Sequence, residues 1–163
     1  MATWRSLTIA DIPNLMRIAD QVHPGLPERS EVFAERIALF PAGCLALADG
    51  ETFQGYAISH PTRRDQPPAL DCLLGAIAPD ADQYYIHDLA LCASVRGRGY
   101  AAEGIRHLLA VAAAYSTTCL VSVYGTASFW HRFGFQELTP GAALSEKLRD
   151  YGSDAVYLCL RNQ

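Results

Sequence analysis

The spacing of apolar positions changes several times along the chain, and each change marks an element. Trp4–Leu7 reads as a short strand. Ile12, Leu15, Met16 and Ala19 then recur at i, i+3, i+4 and i+7, the stripe of an amphipathic helix. Thr8 stands as its N-cap, Asp11 follows as an acidic N3 residue, and Pro13 sits in the first turn. His23-Pro24-Gly25-Leu26-Pro27 breaks this helix. Ser30 is expected to cap a second one, with Phe33, Ile37 and Phe40 on one side. Cys44–Ala48 and Tyr56–His60 are apolar runs joined by a loop holding Asp49-Gly50 and Gly55, which predicts a hairpin. Residues 61–83 are rich in Pro, Asp and Gln, and only their apolar patch Leu70–Ile77 reads as a strand or turn. Tyr84–Leu91 is a strong strand. Ile105, Leu108, Leu109 and Ala112 define the clearest helix, about 99–114. Cys119–Tyr124 is the next strand, and Thr126–Phe133 is a short helix ended by Gly134 at a C′ position. Phe135–Leu138 and Ala155–Leu160 complete the strands.

This order predicts one α/β (α+β) domain over residues 1–163. The expected sheet is mixed and mostly antiparallel, with six to seven strands and helices on both faces. It needs one parallel pair, because strand 84–91 crosses through the long helix to strand 119–124.

Composition adds limits. Half of the 163 residues are hydrophobic and the formal net charge is −4. The charge argues against nucleic acid as the main partner, which usually needs a basic face, and suits a cationic acceptor such as an amine. No apolar run reaches the roughly 18 residues of a membrane span. The N-terminus lacks the pattern of a signal peptide, so the expected location is the cytoplasm. The five cysteines (Cys44, Cys72, Cys92, Cys119, Cys159) form no CxxC pair. They read as reduced, buried thiols. No cluster has zinc-ligand spacing, so no metal is expected.

The sharpest signal is Cys92-Ala-Ser-Val-Arg-Gly-Arg-Gly-Tyr-Ala-Ala102, a loop that leaves a strand and opens a helix. A helix N-terminus offers unpaired N–H groups and the positive end of a dipole. Gly97 and Gly99 let the backbone approach phosphate oxygens. Arg96 and Arg98 add positive charge, and no acid interrupts the span. A diphosphate is the natural guest. Gly97, Gly99 and Ala102 also fit a loose dinucleotide fingerprint. That reading wants an acid at the end of the next strand for the ribose, and Cys119–Tyr124 carries none.

The loop resembles the signature Q/R-x-x-G-x-G/A of the GNAT acetyltransferases, filled here by Arg96, Gly99 and Ala101. A second mark is a short helix ending in aromatic-x-x-x-Gly-Phe, matched by Phe129-Trp130-His131-Arg132-Phe133-Gly134-Phe135. The order of the other elements is similar too. The resemblance therefore covers nearly the whole chain and is specific over about 84–135. Tyr84–Leu89 also looks like the fourth strand of the diamine-acetylating branch, where an acid replaces His87.

The resemblance implies acetyl-CoA as acyl donor, its pantetheine lying between two splayed strands. Backbone groups of the segment Leu89-Ala90-Leu91 would bond the pantetheine and thioester. The N–H groups of Arg96, Gly97, Arg98, Gly99, Tyr100 and Ala101 would hold the pyrophosphate, with Phe129 and Trp130 alongside. A substrate amine, of a small molecule or a peptide, would attack the thioester directly. It must lose a proton, and His87 or Asp88 is the candidate base. Side chains alternate along a strand, so only one of the two is expected to face the cleft. The family's acid is a tyrosine where this chain has Trp130, and indole cannot serve as a general acid at physiological pH. Tyr124 or solvent would substitute. Monomer and homodimer both remain open, as does a non-catalytic acyl-CoA-binding module on the same fold.

Overall fold

The computed structural model describes residues 1–163. Seven strands form one sheet: β1 (Thr3–Ser6), β2 (Cys44–Asp49), β3 (Thr52–Thr62), β4 (Gln83–Leu91), β5 (Thr117–Ser122), β6 (Gln136–Glu137) and β7 (Val156–Arg161), in the order β1-β2-β3-β4-β5-β7-β6. Every pairing is antiparallel except β4–β5. The helices are α1 (Ile12–Val22), α2 (Ser30–Leu39), α3 (Tyr100–Ala112), α4 (Ala127–His131) and α5 (Ala142–Asp150).

The period-two alternation of the strands sorts the core into two layers. Tyr56, Ile58 and Ala90 face α1 and α2, packing with Leu15, Ile18, Phe33 and Ile37. Ala57, Ile86, Leu120 and Leu158 face the other way, onto Ile105 and Leu108 of α3 and Trp130 of α4. Leu144 and Leu148 of α5 cover Cys119 and Tyr157, on the α1/α2 side. The expected mixed sheet with helices on both faces is what forms.

Details differ from the sequence reading. Thr8 caps a 3₁₀ turn, Ile9–Asp11, that leads into α1. Its N–H and hydroxyl both donate to the Asp11 carboxylate. Arg29, not Ser30, holds the extended N-cap position of α2; the Ser30 hydroxyl bonds Glu31 instead. Gly55 lies inside β3, opposite Leu91, and the hairpin turn is Gly50-Glu51. Leu70–Ile77 forms turns and bends. Helix α5 has no counterpart among the expected elements.

The expectation of five reduced, buried thiols fails for Cys119, Cys159 and Cys72 and holds for Cys44. Cys119 and Cys159 are direct cross-strand partners on β5 and β7 and form a disulfide. Cys44 is buried, Cys92 half-buried and Cys72 exposed. No helix is long and apolar enough to cross a membrane.

Candidate functional site

The parallel pair β4–β5 holds together over only three positions, Tyr84↔Thr118 to Ile86↔Leu120. Beyond them both strands run on without pairing to each other, so their ends splay. Cys92 N–H donates to Gln54 O on β3. Backbone groups alternate along a strand, so those of Ala90 also turn to β3 and those of Leu89 and Leu91 turn to the gap. The Leu91 carbonyl accepts Arg96 Nε at 3.2 Å, which leaves the Leu91 amide and both Leu89 groups free on that edge.

A cleft of about 490 Å³ runs through the gap. At one end it meets Arg96 and Ala101, and along the middle Leu89, Ala90, Leu91, Leu120 and Val121. Val123, Tyr124, Phe129 and Trp130 form one flank. At the far end, on the α1/α2 side, stand His23, Glu28, His87 and Asp88.

The first end is built by the glycine loop. A 3₁₀ turn, Ala93–Val95, and an extended Arg96 lead to Gly97 (φ 76°) and Gly99 (φ 86°). Both glycines lie in the left-handed region, and a Cβ at either would meet nothing within 4 Å. Glycine is required by conformation, and the same open space lets an anion approach the backbone. Gly99 is the N-cap of α3. Arg98 and both glycines are exposed. Tyr100 packs near Leu91 and Val95, and its carbonyl accepts the Trp4 indole N–H at 2.9 Å.

The opposite end corrects the rule of alternation. The β3–β4 register passes from Ile58↔Asp88 to Ser59↔Ile86, so His87 is an extra residue on β4. This β-bulge turns both His87 and Asp88 to the α1/α2 face. Asp88 Oδ1 lies 2.8 Å from His23 Nε2, and Asp88 Oδ2 accepts the Tyr56 hydroxyl at 2.6 Å. His87 Nε2 lies 2.8 Å from Glu28 Oε1, while Glu28 Oε2 accepts Asp71 N–H at 3.0 Å.

Burial raises the proton affinity of both carboxylates, but their partners overcome it. Asp88, held chiefly by His23, and Glu28, held chiefly by His87, ionise below the usual carboxylate range. Burial also works against a charged His23, yet the bond and charge of Asp88, with Glu28, hold its pKa above the ordinary value. A carboxylate accepts, so each histidine donates through Nε2. That leaves His23 Nδ1 and His87 Nδ1 buried and without a partner. The sequence reading missed Glu28 and did not count His23 among the candidate catalytic residues, because their partners on β4 lie 59 to 65 residues away.

Tyr124 lies beyond the end of β5 with φ 54°. Its ring stacks on His23, centroids 5.9 Å apart, and its hydroxyl accepts Gly25 N–H. Trp130 is 8% exposed and packs edge-to-face on Phe129 and Phe135.

Residues 11–135 match the model of the Acetyltransferase (GNAT) family, and the chain belongs to that family. It is similar in fold to the loading GNATL domain of CurA from Lyngbya majuscula, with TM-score 0.80 and 11% identity over 100% of this chain and 98% of that one. It is also similar to the ribosomal-protein-S18-alanine N-acetyltransferase from Escherichia coli, with TM-score 0.69 and 18% identity over 100% and 95%. Arabidopsis thaliana Naa50, in complex with the bisubstrate analogue CoA-Ac-MVNAL, matches with TM-score 0.70 and 13% identity over 97% of each chain. No curated protein matches the sequence.

Proposed function

We propose that this protein is an acetyl-CoA-dependent N-acyltransferase that acts on a primary amine of a small molecule or a peptide. One observation carries the reading. A single cleft threads the splayed β4–β5 gap, from the glycine loop at the N-terminus of α3 to paired histidines and carboxylates on the other side. The first end suits a diphosphate and the second a proton-losing amine. Among proteins of this fold, one is named for an alanine acceptor and another holds a CoA–peptide analogue.

Residues 96–101 would hold the pyrophosphate with backbone N–H groups, Arg96 and Arg98 adding charge. The free backbone groups of Leu89 and the Leu91 amide would bond the pantetheine arm as an added strand, beside Ala90, Phe129 and Trp130. An oriented N–H at the thioester carbonyl stabilises the oxyanion that forms on attack. His87 and Asp88 lie on the acceptor side of the gap, where a base is required. The Tyr124 hydroxyl, whose own proton stays free while it accepts from Gly25, or water would return a proton to the departing thiolate.

Acetyl-CoA incubated with the protein and a panel of primary amines, read by free thiol and by product mass, tests this. Amine-dependent thiol release with one acetyl group added to the amine is the expected result. Acetyl-CoA binding without turnover would mean a non-catalytic binding module, and no binding at millimolar levels would overturn both.

A further inference from the structure

We propose that His23, from the loop after α1, is the general base of this acyltransferase, oriented by Asp88, which Tyr56 fixes in turn. The inference rests on the acyl-transfer reading above and assigns its central proton transfer.

The geometry separates four candidates. Asp88 and Glu28 each have both carboxylate oxygens engaged, Asp88 by His23 and Tyr56, Glu28 by His87 and Asp71. Each is held ionised by its partners, below the usual carboxylate range, which makes both weak bases. The two histidines each have an unpartnered Nδ1. A buried polar atom without a partner is costly, so a ligand that supplies one is favoured. The His87 side chain is 1% exposed and is ringed by Phe33, His60 and Tyr85. It lines the far end of the cleft but offers almost no exposed surface. The His23 side chain is 18% exposed. It bridges the gap, bonded to Asp88 on β4 and stacked on Tyr124 beyond β5. A hydrogen-bonded carboxylate behind an imidazole fixes its tautomer and stabilises the imidazolium that forms, the logic of serine-protease triads.

The protons balance as follows. His23 Nδ1 is covered in the free protein; an acceptor ammonium seated against it gives it one proton, which passes to solvent once the product leaves. The freed nitrogen lone pair forms the C–N bond at the thioester carbonyl. As the C–S bond breaks, the nitrogen sheds a second proton, which ends on the CoA thiolate. One hydrogen remains on the amide.

The groups facing His23 are Asp88 and His87 on β4, Tyr56 on β3, Glu28 of its own loop, Arg96 before α3, Tyr124 after β5 and Asp20 on α1. Asp88 holds the imidazole pKa above its ordinary 6.5 against the effect of burial. His23 must be unprotonated at Nδ1 to act, so kcat/KM rises with pH through that raised pKa. Asp88→Asn removes the carboxylate and moves this limb to lower pH. The ionisation of the amine itself does not move with the mutation.

The test compares wild type, His23→Gln, His23→Gly, Asp88→Asn and His87→Gln, using acetyl-CoA and the best acceptor from the amine panel. Acetyl-CoA titration and thermal melting check that each variant is folded and loaded. His23→Gln is expected to lower kcat about 10²–10⁴-fold, the usual worth of a general base, with acetyl-CoA affinity kept. Added imidazole restores activity to His23→Gly. The acid limb vanishes in His23→Gln and shifts down in Asp88→Asn. If His87→Gln loses the acid limb while His23→Gln keeps it, His87 is the base and the inference is overturned. A folded His23→Gln with wild-type kcat and pH profile overturns the inference while leaving the acyl-transfer reading intact. A wild-type protein that binds acetyl-CoA but acetylates no amine overturns both.

Discussion

Gly104 of α3 lies flat against the indole of Trp4, so close that a Cβ at position 104 would stand 2.6 Å from Trp4 Cζ2. The same indole donates to the Tyr100 carbonyl at 2.9 Å. Trp4 on β1 therefore fixes the first turn of α3, the turn proposed to face the pyrophosphate. Gly104→Ala overpacks this contact. It is expected to cost about 1–3 kcal/mol of stability and to weaken acetyl-CoA binding. Denaturant unfolding and titration calorimetry measure the two effects.

Gly99 and Gly50 separate backbone strain from function. Both have positive φ, at 86° and 59°. Alanine at either is expected to cost about 1–2 kcal/mol. Only Gly99→Ala, at the start of α3, should also raise the Kd for acetyl-CoA, by roughly tenfold for each 1.4 kcal/mol of lost interaction. Gly50→Ala, in the β2–β3 turn, should leave the Kd unchanged.

Trp130 is a packing residue at the position where the family carries its tyrosine. Trp130→Ala should lose about 3–5 kcal/mol of stability. Trp130→Phe should keep most of the stability and leave kcat within a few-fold of wild type, since no general acid is removed. A large fall in kcat for folded Trp130→Phe would contradict this.

The Cys119–Cys159 bridge closes a separation of 40 residues. In the chain-entropy model a loop of this size is worth about 4 kcal/mol. Unfolded without reductant, the protein should titrate three free thiols. Cys159→Ser should lower the melting temperature in non-reducing buffer and make it insensitive to dithiothreitol.

His60 makes the fold acid-sensitive. Burial pushes its ionisation down to about 3. The unfolded chain binds this proton below about 6.5, whereas the folded chain refuses it until about 3. Stability therefore declines as pH falls across that window, by on the order of 5 kcal/mol for this group alone. His60→Phe should flatten the decline, read from urea midpoints between pH 7 and pH 4.

Local chemistry made much of this legible in the sequence. Two glycines alternating with two arginines mark the start of α3, and apolar spacing marks α1, α3 and β4. What escaped was set by pairing between distant segments. The bulge at His87 follows from its register against β3, and a strict period of two on β4 puts His87 and Asp88 on opposite faces. The Cys119–Cys159 bridge needs the β5–β7 register. Glu28 and His23 look like loop residues until β4 supplies their partners. Helix α5 is only nine residues long and carries just two buried leucines, too weak a stripe to stand out after Pro140-Gly141.

Amide hydrogen exchange with and without acetyl-CoA tests the central claim most directly. The account predicts new protection at Leu89, at Leu91 and across residues 97–101, with β1 and β2 unchanged. Binding that leaves the Leu89 and Leu91 amides exchanging as before would contradict the β4–β5 gap as the acyl-CoA site.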